Sequence, residues 1–439
     1  MIETMEQQLD SFDVEKRFSA LNELVSLAKA GQVSLRDPTD HVNMHFHSFF
    51  SYNCLGYSPV GLAWRARKAG LAAAGLVDFD VLDGVDEFVE AGRLLDLPTC
   101  GGLETRVFVP EFADKVMTSP GEPGITYHMG VGIPTGRLPE RWATFQHGLK
   151  ETAQQRNRGL IERVNAYLAP VRIDYEQNVL PLTPAGNPTE RHLCVAYARK
   201  AAGHFPDDRA LAAFWSDKLD TDVSAMELPE GRDLLNTIRA RTMKRGGPGY
   251  VPPDAGAFPR MAEVNEFVLA VGGIPTLTWL NGLSDGEKEL DRLLDVAMST
   301  GVEAINIIPD RNFTPGVEDE LVANLRAVIA MAAERHLPIV VGTEMNSPGQ
   351  KFVDDFDAAE LAPHVPLFLQ GAWVVYAHSV LQRRCGLGYT SGWAKKHFPQ
   401  RGERNTFYET VGRALKPSRT EALAEVGSDP APETILARC

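Results

Sequence analysis

The chain has 439 residues, is 44% hydrophobic and 23% charged, and carries a formal net charge of −14 at pH 7. That length holds a large core, and the acidic balance argues against a nucleic-acid backbone or an anionic membrane as main partner, which leaves a small-molecule substrate. The five cysteines (Cys54, Cys100, Cys194, Cys385 and Cys439) are scattered without a C-x-x-C pair, which excludes a disulfide framework and a cysteine zinc knuckle.

The start, Met1-Ile2-Glu3-Thr4-Met5-Glu6, is acidic where a secretory signal is basic and then apolar, and no run approaches a bilayer span. A reducing cytoplasm is the expectation. Residues 10–31 read as a surface helix, with Phe18, Leu21, Val25 and Ala28 at spacings of three and four. From residue 41 a strand–helix rhythm sets in. Strands are expected at 42–47, 73–77, 99–107 and 125–131, with helices at 59–69 and 85–95. The rhythm breaks over 135–255, a polar and mainly helical stretch with amphipathic runs at 146–168, 190–202 and 210–218. It resumes with helices at 261–270, 290–299 and 317–334, and strands at 274–280, 304–308 and 338–342. A last strand is expected at 368–377, followed from about 415 by a loosely structured tail. The resulting division is an N-terminal extension (1–38), a β/α barrel (39–134 and 256–415), an inserted helical cap (135–255) and a tail (416–439).

The strand ends collect His45, His47, Asp78, Asp80, Glu104, His128 and Glu344. On a strand His45 and His47 share a face, so both imidazoles can grip one ion. Two imidazoles and two carboxylates suit zinc, manganese or iron. With 11 histidines in the chain, a His-x-His arises readily by chance, so packed or solvated histidines are the competing reading. Cores rarely bury so many ionisable groups unpaired, which favours the metal.

The order of these motifs resembles the PHP (polymerase and histidinol phosphatase) family, over about residues 41–350. His45-Phe46-His47-Ser48 resembles its opening His-x-His-Thr/Ser, and Leu76-Val77-Asp78-Phe79-Asp80 its strand ending in Asp-His-Asp. Gly101-Gly102-Leu103-Glu104 is similar to its Gly-x-Glu, and Tyr127-His128-Met129-Gly130 to its next histidine strand. Glu190-Arg191-His192-Leu193 resembles a helix start of phosphoesterase members. Gly272-Gly273-Ile274 through Trp279 is similar to the Gly-Gly strand, and Val341-Gly342-Thr343-Glu344-Met345-Asn346 to the Gly-Ser-Asp-x-His run.

The resemblance implies an α/β fold, a distorted seven-stranded (β/α) barrel of PHP type with an inserted helical cap. It also implies up to three ions. The first would use His45, His47, Glu104 and Glu344, the last a longer carboxylate than the family's aspartate. The second would share Glu104 and use His128, with Trp279 where the family has another histidine. Tyr52 or Asn53, Phe79 and Asn346 stand at the third site's positions, so one or two divalent ions (Zn, Mn or Fe) are expected.

The implied activity is a metal-dependent hydrolase, a phosphoesterase acting on a small phosphorylated metabolite. A non-catalytic binding protein with a residual metal, or a hydrolase or lyase of non-phosphate substrates, is the alternative. Asp78 and Asp80 would orient His45 or His47, cap the following turn, or shuttle a proton. Arg106, on the same strand face as Glu104, and Arg311, just past the strand at 304–308, would stabilise developing charge. Trp279 would wall the pocket, while Arg191, His192 and Lys351 would reach substrate from the cap and the last loop. Each cation has a solvated or salt-bridged alternative. His378, ending the expected last strand, is a candidate late ligand.

Overall fold

Seven strands, β1 (Val42–Phe46), β2 (Ala73–Phe79), β3 (Thr99–Phe108), β4 (Ile125–Ile133), β5 (Ile274–Trp279), β6 (Ala304–Ile307) and β7 (Ile339–Val341), form one sheet in sequence order. The computed structural model describes residues 1–253, 256–312 and 319–439. The expected cap limit at 255 and helix start at 317 lie outside the described residues. β1 to β3 and β5 to β7 pair in parallel, while β4 runs antiparallel to both neighbours. Residue 344 bridges back to β1, with Glu344 N–H donating to His45 O and His47 N–H to Glu344 O, both at 2.8 Å. The sheet is therefore a nearly closed barrel, as expected of the β/α rhythm.

Local chemistry explains the first crossover. Ser58 accepts from Gly61 N–H at the start of the Pro59–Ala69 helix, Pro59 stands in its first turn, and Gly70 ends it at φ 76°. The Val85–Leu95, Met261–Ala270 and Leu290–Ser299 helices fall where periodicity places them. Two expectations at the ends are corrected. The helix expected at 10–31 is Val14–Lys29, capped by Asp13, and a further helix, Ile2–Gln8, precedes it where none was expected. The tail from 415 forms Pro417–Glu425 and Pro432–Leu436, which bury Leu423 and Ile435.

The strand expected at 368–377 is instead inside a helix, Val365–Cys385. Buried on most of its circumference, it is apolar nearly all round, so no polar face betrays its period. It packs across the end of the barrel where β7 begins, so closely that a Cβ on Gly371 would lie 2.0 Å from Ile339 O. The opposite end, where the parallel strands stop, is left for the site.

Between β4 and β5 the chain forms the helices Glu140–Tyr167, Glu190–His204, Asp208–Leu219 and Arg232–Ile238, around a separate core that includes Val164, Leu193, Tyr197, Trp215 and Ile238. Gln146 Nε2 donates to Asp80 O (2.7 Å) and Asn187 Nδ2 to Phe79 O (2.8 Å), tying this layer over the end of β2. Among the described residues no helix is long and apolar enough to cross a membrane.

Candidate metal centre

β1 and the turn after it present His45 and His47, and β3 presents Glu104. All three are buried. His45 Nε2 lies 3.3 Å from His47 Nε2, and Glu104 Oε2 lies 3.5 and 3.2 Å from those two nitrogens. The far side of each ring fixes its tautomer. Asn306 on β6 donates through Nδ2 to Val340 O (3.0 Å), which turns its Oδ1 toward His45 Nδ1 at 3.1 Å. His45 Nδ1 therefore carries the proton, and Nε2 offers a lone pair. Ser51 Oγ donates to Asp78 Oδ1 (2.7 Å) and so accepts from His47 Nδ1 (3.2 Å).

Two imidazole lone pairs and a carboxylate oxygen thus converge. Glu104 Oε2 makes no hydrogen bond of its own although fully buried. Such an arrangement repels itself unless a metal ion, or a proton held on one imidazole, lies among the three atoms. Burial alone would push the Glu104 carboxyl up, but the adjoining imidazoles hold it well below the usual range. Burial likewise opposes charge on His45, and Glu104 overrides it and pulls the pKa up. A divalent ion fits by size: tetrahedral ligands at 2.0–2.1 Å are about 3.3–3.4 Å apart, and the three measured edges are 3.2–3.5 Å. These three residues are the group of potential ligand atoms within mutual reach among the described residues.

Other candidates are placed differently. Glu344 sits close enough for its charge to act on His45, but its Oε2 accepts from Arg311 Nη2 (2.7 Å), Arg311 Nε (3.2 Å) and Gln350 Nε2 (2.8 Å). His128 is not with the cluster. It pairs with Thr105 and shares its strand face with Gly130, whose Cβ would meet Val268 of the Met261–Ala270 helix. Its Nε2 bonds Asn265 Oδ1 (2.6 Å) on that helix, and burial lowers its pKa to about 4. Trp279 follows the same outward parity through Leu277, is 1% exposed in the barrel–helix core, and does not wall the cavity. Its neighbour Thr278, in register with Asn306, takes the inward face. His378 belongs to the Val365–Cys385 helix, bonded to Gly272 O (2.9 Å) and Tyr389 N (2.8 Å), far from a ligand role.

Asp78 accepts from Ser48 N–H (2.7 Å), Ser48 Oγ (2.6 Å) and Ser51 Oγ, so it shapes the turn that holds His47. Asp80, at φ 61°, lines the cavity beside Glu104. Burial raises its pKa to about 6, against a bond from Thr105 Oγ1 (2.6 Å). Phe79 stacks on His47 with ring centroids 4.3 Å apart and lines the same cavity, as do Tyr52 and Asn346.

That cavity, about 480 Å³, lies between the barrel mouth and the inserted helices. Arg106, Arg191 and Arg311 line it. His192 does not reach substrate space: its Nδ1 accepts from Thr189 N–H (3.0 Å) as part of a helix cap, and burial lowers its pKa to about 3. Lys351 pairs with Asp310 at 3.1 Å on the rim. Sequence reasoning missed Asn306 and Ser51, which set the tautomers. A lone asparagine in the apolar strand Ala304-Ile305-Asn306-Ile307 was the available signal. It also missed Arg156, Arg239 and Lys244 in the cavity wall, which no local pattern distinguishes from surface charges.

No family model matches the chain, and no curated protein sequence does. Solved structures similar to it include an amidohydrolase from Chromobacterium violaceum with bound sulfate and no metal, at TM-score 0.49 and 17% identity over 70% of this chain and 88% of that one. Another is a protein from Bifidobacterium adolescentis assigned as a metal-dependent phosphoesterase, at TM-score 0.47 and 18% identity over 75% of this chain and 97% of that one. At this level of similarity neither neighbour carries a function to this chain.

Proposed function

We propose that the protein is a metal-dependent hydrolase of small anionic esters, most simply phosphate esters, working with one divalent ion held by His45, His47 and Glu104. The observation that carries this reading is the triangle of three buried potential donor atoms at tetrahedral spacing, with the far nitrogen of each imidazole bonded from behind. A bound ion there supplies Lewis-acid polarisation and lowers the pKa of water toward neutrality. The chain's own residues do the rest. Arg311 presents a guanidinium at the cavity end of the site, where it can hold a substrate oxygen and stabilise charge gathered in the transition state. Asp80, with a pKa raised to about 6, is suited to take up and return a proton near neutral pH. Phe79 and the overlying helices keep the His47 side of the pocket apolar and screened from bulk water.

The test is metal analysis of purified protein after supplementation with zinc, manganese or iron, then a phosphoester panel with wild type and Glu104→Gln. Turnover that follows metal occupancy and falls at least a hundredfold in the variant is expected. Bound metal with no turnover of any ester would overturn the hydrolase reading in favour of a binding protein. Turnover only of amides or lactones would move the substrate class.

A further inference from the structure

The chain is strongly acidic overall, yet the cavity wall away from the metal centre concentrates positive charge. Four cations, Arg106, Arg156, Arg239 and Lys244, share two carboxylates. Glu122 takes Arg106 Nη1 (3.2 Å) and Arg156 Nη2 (3.3 Å), while Glu190 takes Arg239 Nε (3.0 Å) and Lys244 Nζ (2.6 Å). Among the described residues, four charges against these two leave an excess of positive charge, which Asp80 beside Arg106 and Arg156 offsets only in part. The groups sense each other: burial and then Arg106 oppose the charge on Arg156, and burial disfavours charge on Lys244, with Arg239 and Arg106 adding to it. Arg106 and Arg156 also flank the Phe258 ring at 4.4 and 4.9 Å. Arg156 Nη1 is buried and makes no hydrogen bond among the described residues.

Folding gains nothing from such an excess. Buried like charges repel, and an unsatisfied guanidinium N–H costs desolvation energy without return. A ligand anion in the cavity, which Arg106, Arg156, Arg239 and Lys244 all line, would balance the charge. We propose that this cluster is a second anion subsite, which grips a non-reacting phosphate or carboxylate of the substrate while another end of the same molecule reaches His45, His47 and Glu104. Arg106 lies two residues beyond Glu104 on β3, and strand rise places it about 7 Å further along. The substrate class is therefore a small molecule with two anionic groups about 7 Å or more apart. Only the identity of the reacting end rests on the hydrolase reading, because the cluster itself can be tested without metal.

The experiment uses full-length protein stripped of metal by a chelator and titrated calorimetrically with inorganic phosphate. Wild type should bind it with no metal present. Arg156→Gln and, separately, Lys244→Gln should weaken binding about tenfold or more, the usual effect of losing a charge-assisted hydrogen bond. Because Arg106 still pairs with Glu122, removing a guanidinium that carries one unsatisfied N–H should leave the melting temperature of Arg156→Gln equal to or above that of wild type. If Arg156 serves only to neutralise Glu122, the variant melts lower and both variants bind phosphate as wild type does. That result overturns the subsite, as does absence of phosphate binding by wild type. No ester turnover by metal-loaded wild type, with phosphate binding intact, would overturn the hydrolase reading alone.

Discussion

Replacing Glu104 by glutamine removes one charge from the site and almost no volume. The amide can point its N–H at the lone pair of His47 Nε2, which lies 3.2 Å from the wild-type oxygen, so the pocket fills its own donor gap without an ion. Metal binding to the folded form alone stabilises by RT ln(1 + [M]/Kd), about 2.7 kcal/mol at a hundredfold excess over Kd. An unfolding entropy of about 2.1 cal/mol/K per residue over the 439-residue chain gives roughly 0.9 kcal/mol/K. Saturating wild type at that excess should therefore raise Tm by about 3 °C, if the chain unfolds as one unit. Differential scanning calorimetry with and without zinc, manganese or iron(II) measures this increment within each protein, which cancels any change in intrinsic stability. The variant should show an increment near zero. A full increment in Glu104→Gln, or none in wild type with all three metals, would refute the metal centre.

Asn306→Leu removes the acceptor that holds His45 Nδ1 and should weaken metal binding about 10- to 100-fold in a chelator competition, with His45 and Glu104 themselves untouched. Unchanged affinity would mean that the tautomer is set elsewhere. Asp354 is buried, among the described residues takes only Asp310 N–H (3.0 Å) on one side-chain oxygen, and burial raises its pKa from 3.8 to about 7. Because the folded pKa exceeds the unfolded one, its favourable contribution is complete below pH 4 and is lost as pH rises through 7. Asp354→Asn should thus be more stable than wild type at pH 8, by up to about 4 kcal/mol, with the gap closing toward pH 4. Urea denaturation at pH 5 and pH 8 checks the sign, and a gap that widens toward acid would refute it.

Much of the barrel was legible because each parallel strand is a short apolar run bounded by turn chemistry, and its crossover helix carries one apolar face. The exceptions share a physical cause: a side chain's direction depends on partners that a local pattern does not reveal. His128 sits on the one antiparallel strand, where pairing with Thr105 turns its ring to the helix layer. At β5, a reading displaced by one residue chose Trp279, although Thr278 has the inward face. The 365–385 helix lost its amphipathic signature to burial on most sides. The opening His-x-His and Glu104 were readable because alternation along β1 and the Gly-Gly run before Glu104 are local. Their convergence is a property of the closed sheet, and the cation excess around Arg156 is a property of the inserted helices folding back over it.

Glu344 shows how closure and chemistry constrain each other. Its backbone is bonded on both sides to β1, from Glu344 N–H to His45 O and from His47 N–H to Glu344 O. Both Glu344 (φ 64°) and Met345 (φ 58°) occupy the left-handed region, which disfavours side chains of this size and persists only where surroundings impose it. Here the imposing contacts are those two bonds and the burial of Met345, whose carbonyl also takes Cys54 N–H (2.8 Å). The chain thus accepts local strain to seal the barrel beside the two imidazoles, and the carboxylate ends on Arg311 and Gln350. Burial opposes its charge, but Arg311 and His45 together outweigh that and lower its pKa. The consequence is a guanidinium anchored at the edge of the three-donor cluster, still facing the cavity. In the proposed reaction that fixed positive charge would act on the substrate's oxygens beside the ion held by His45, His47 and Glu104.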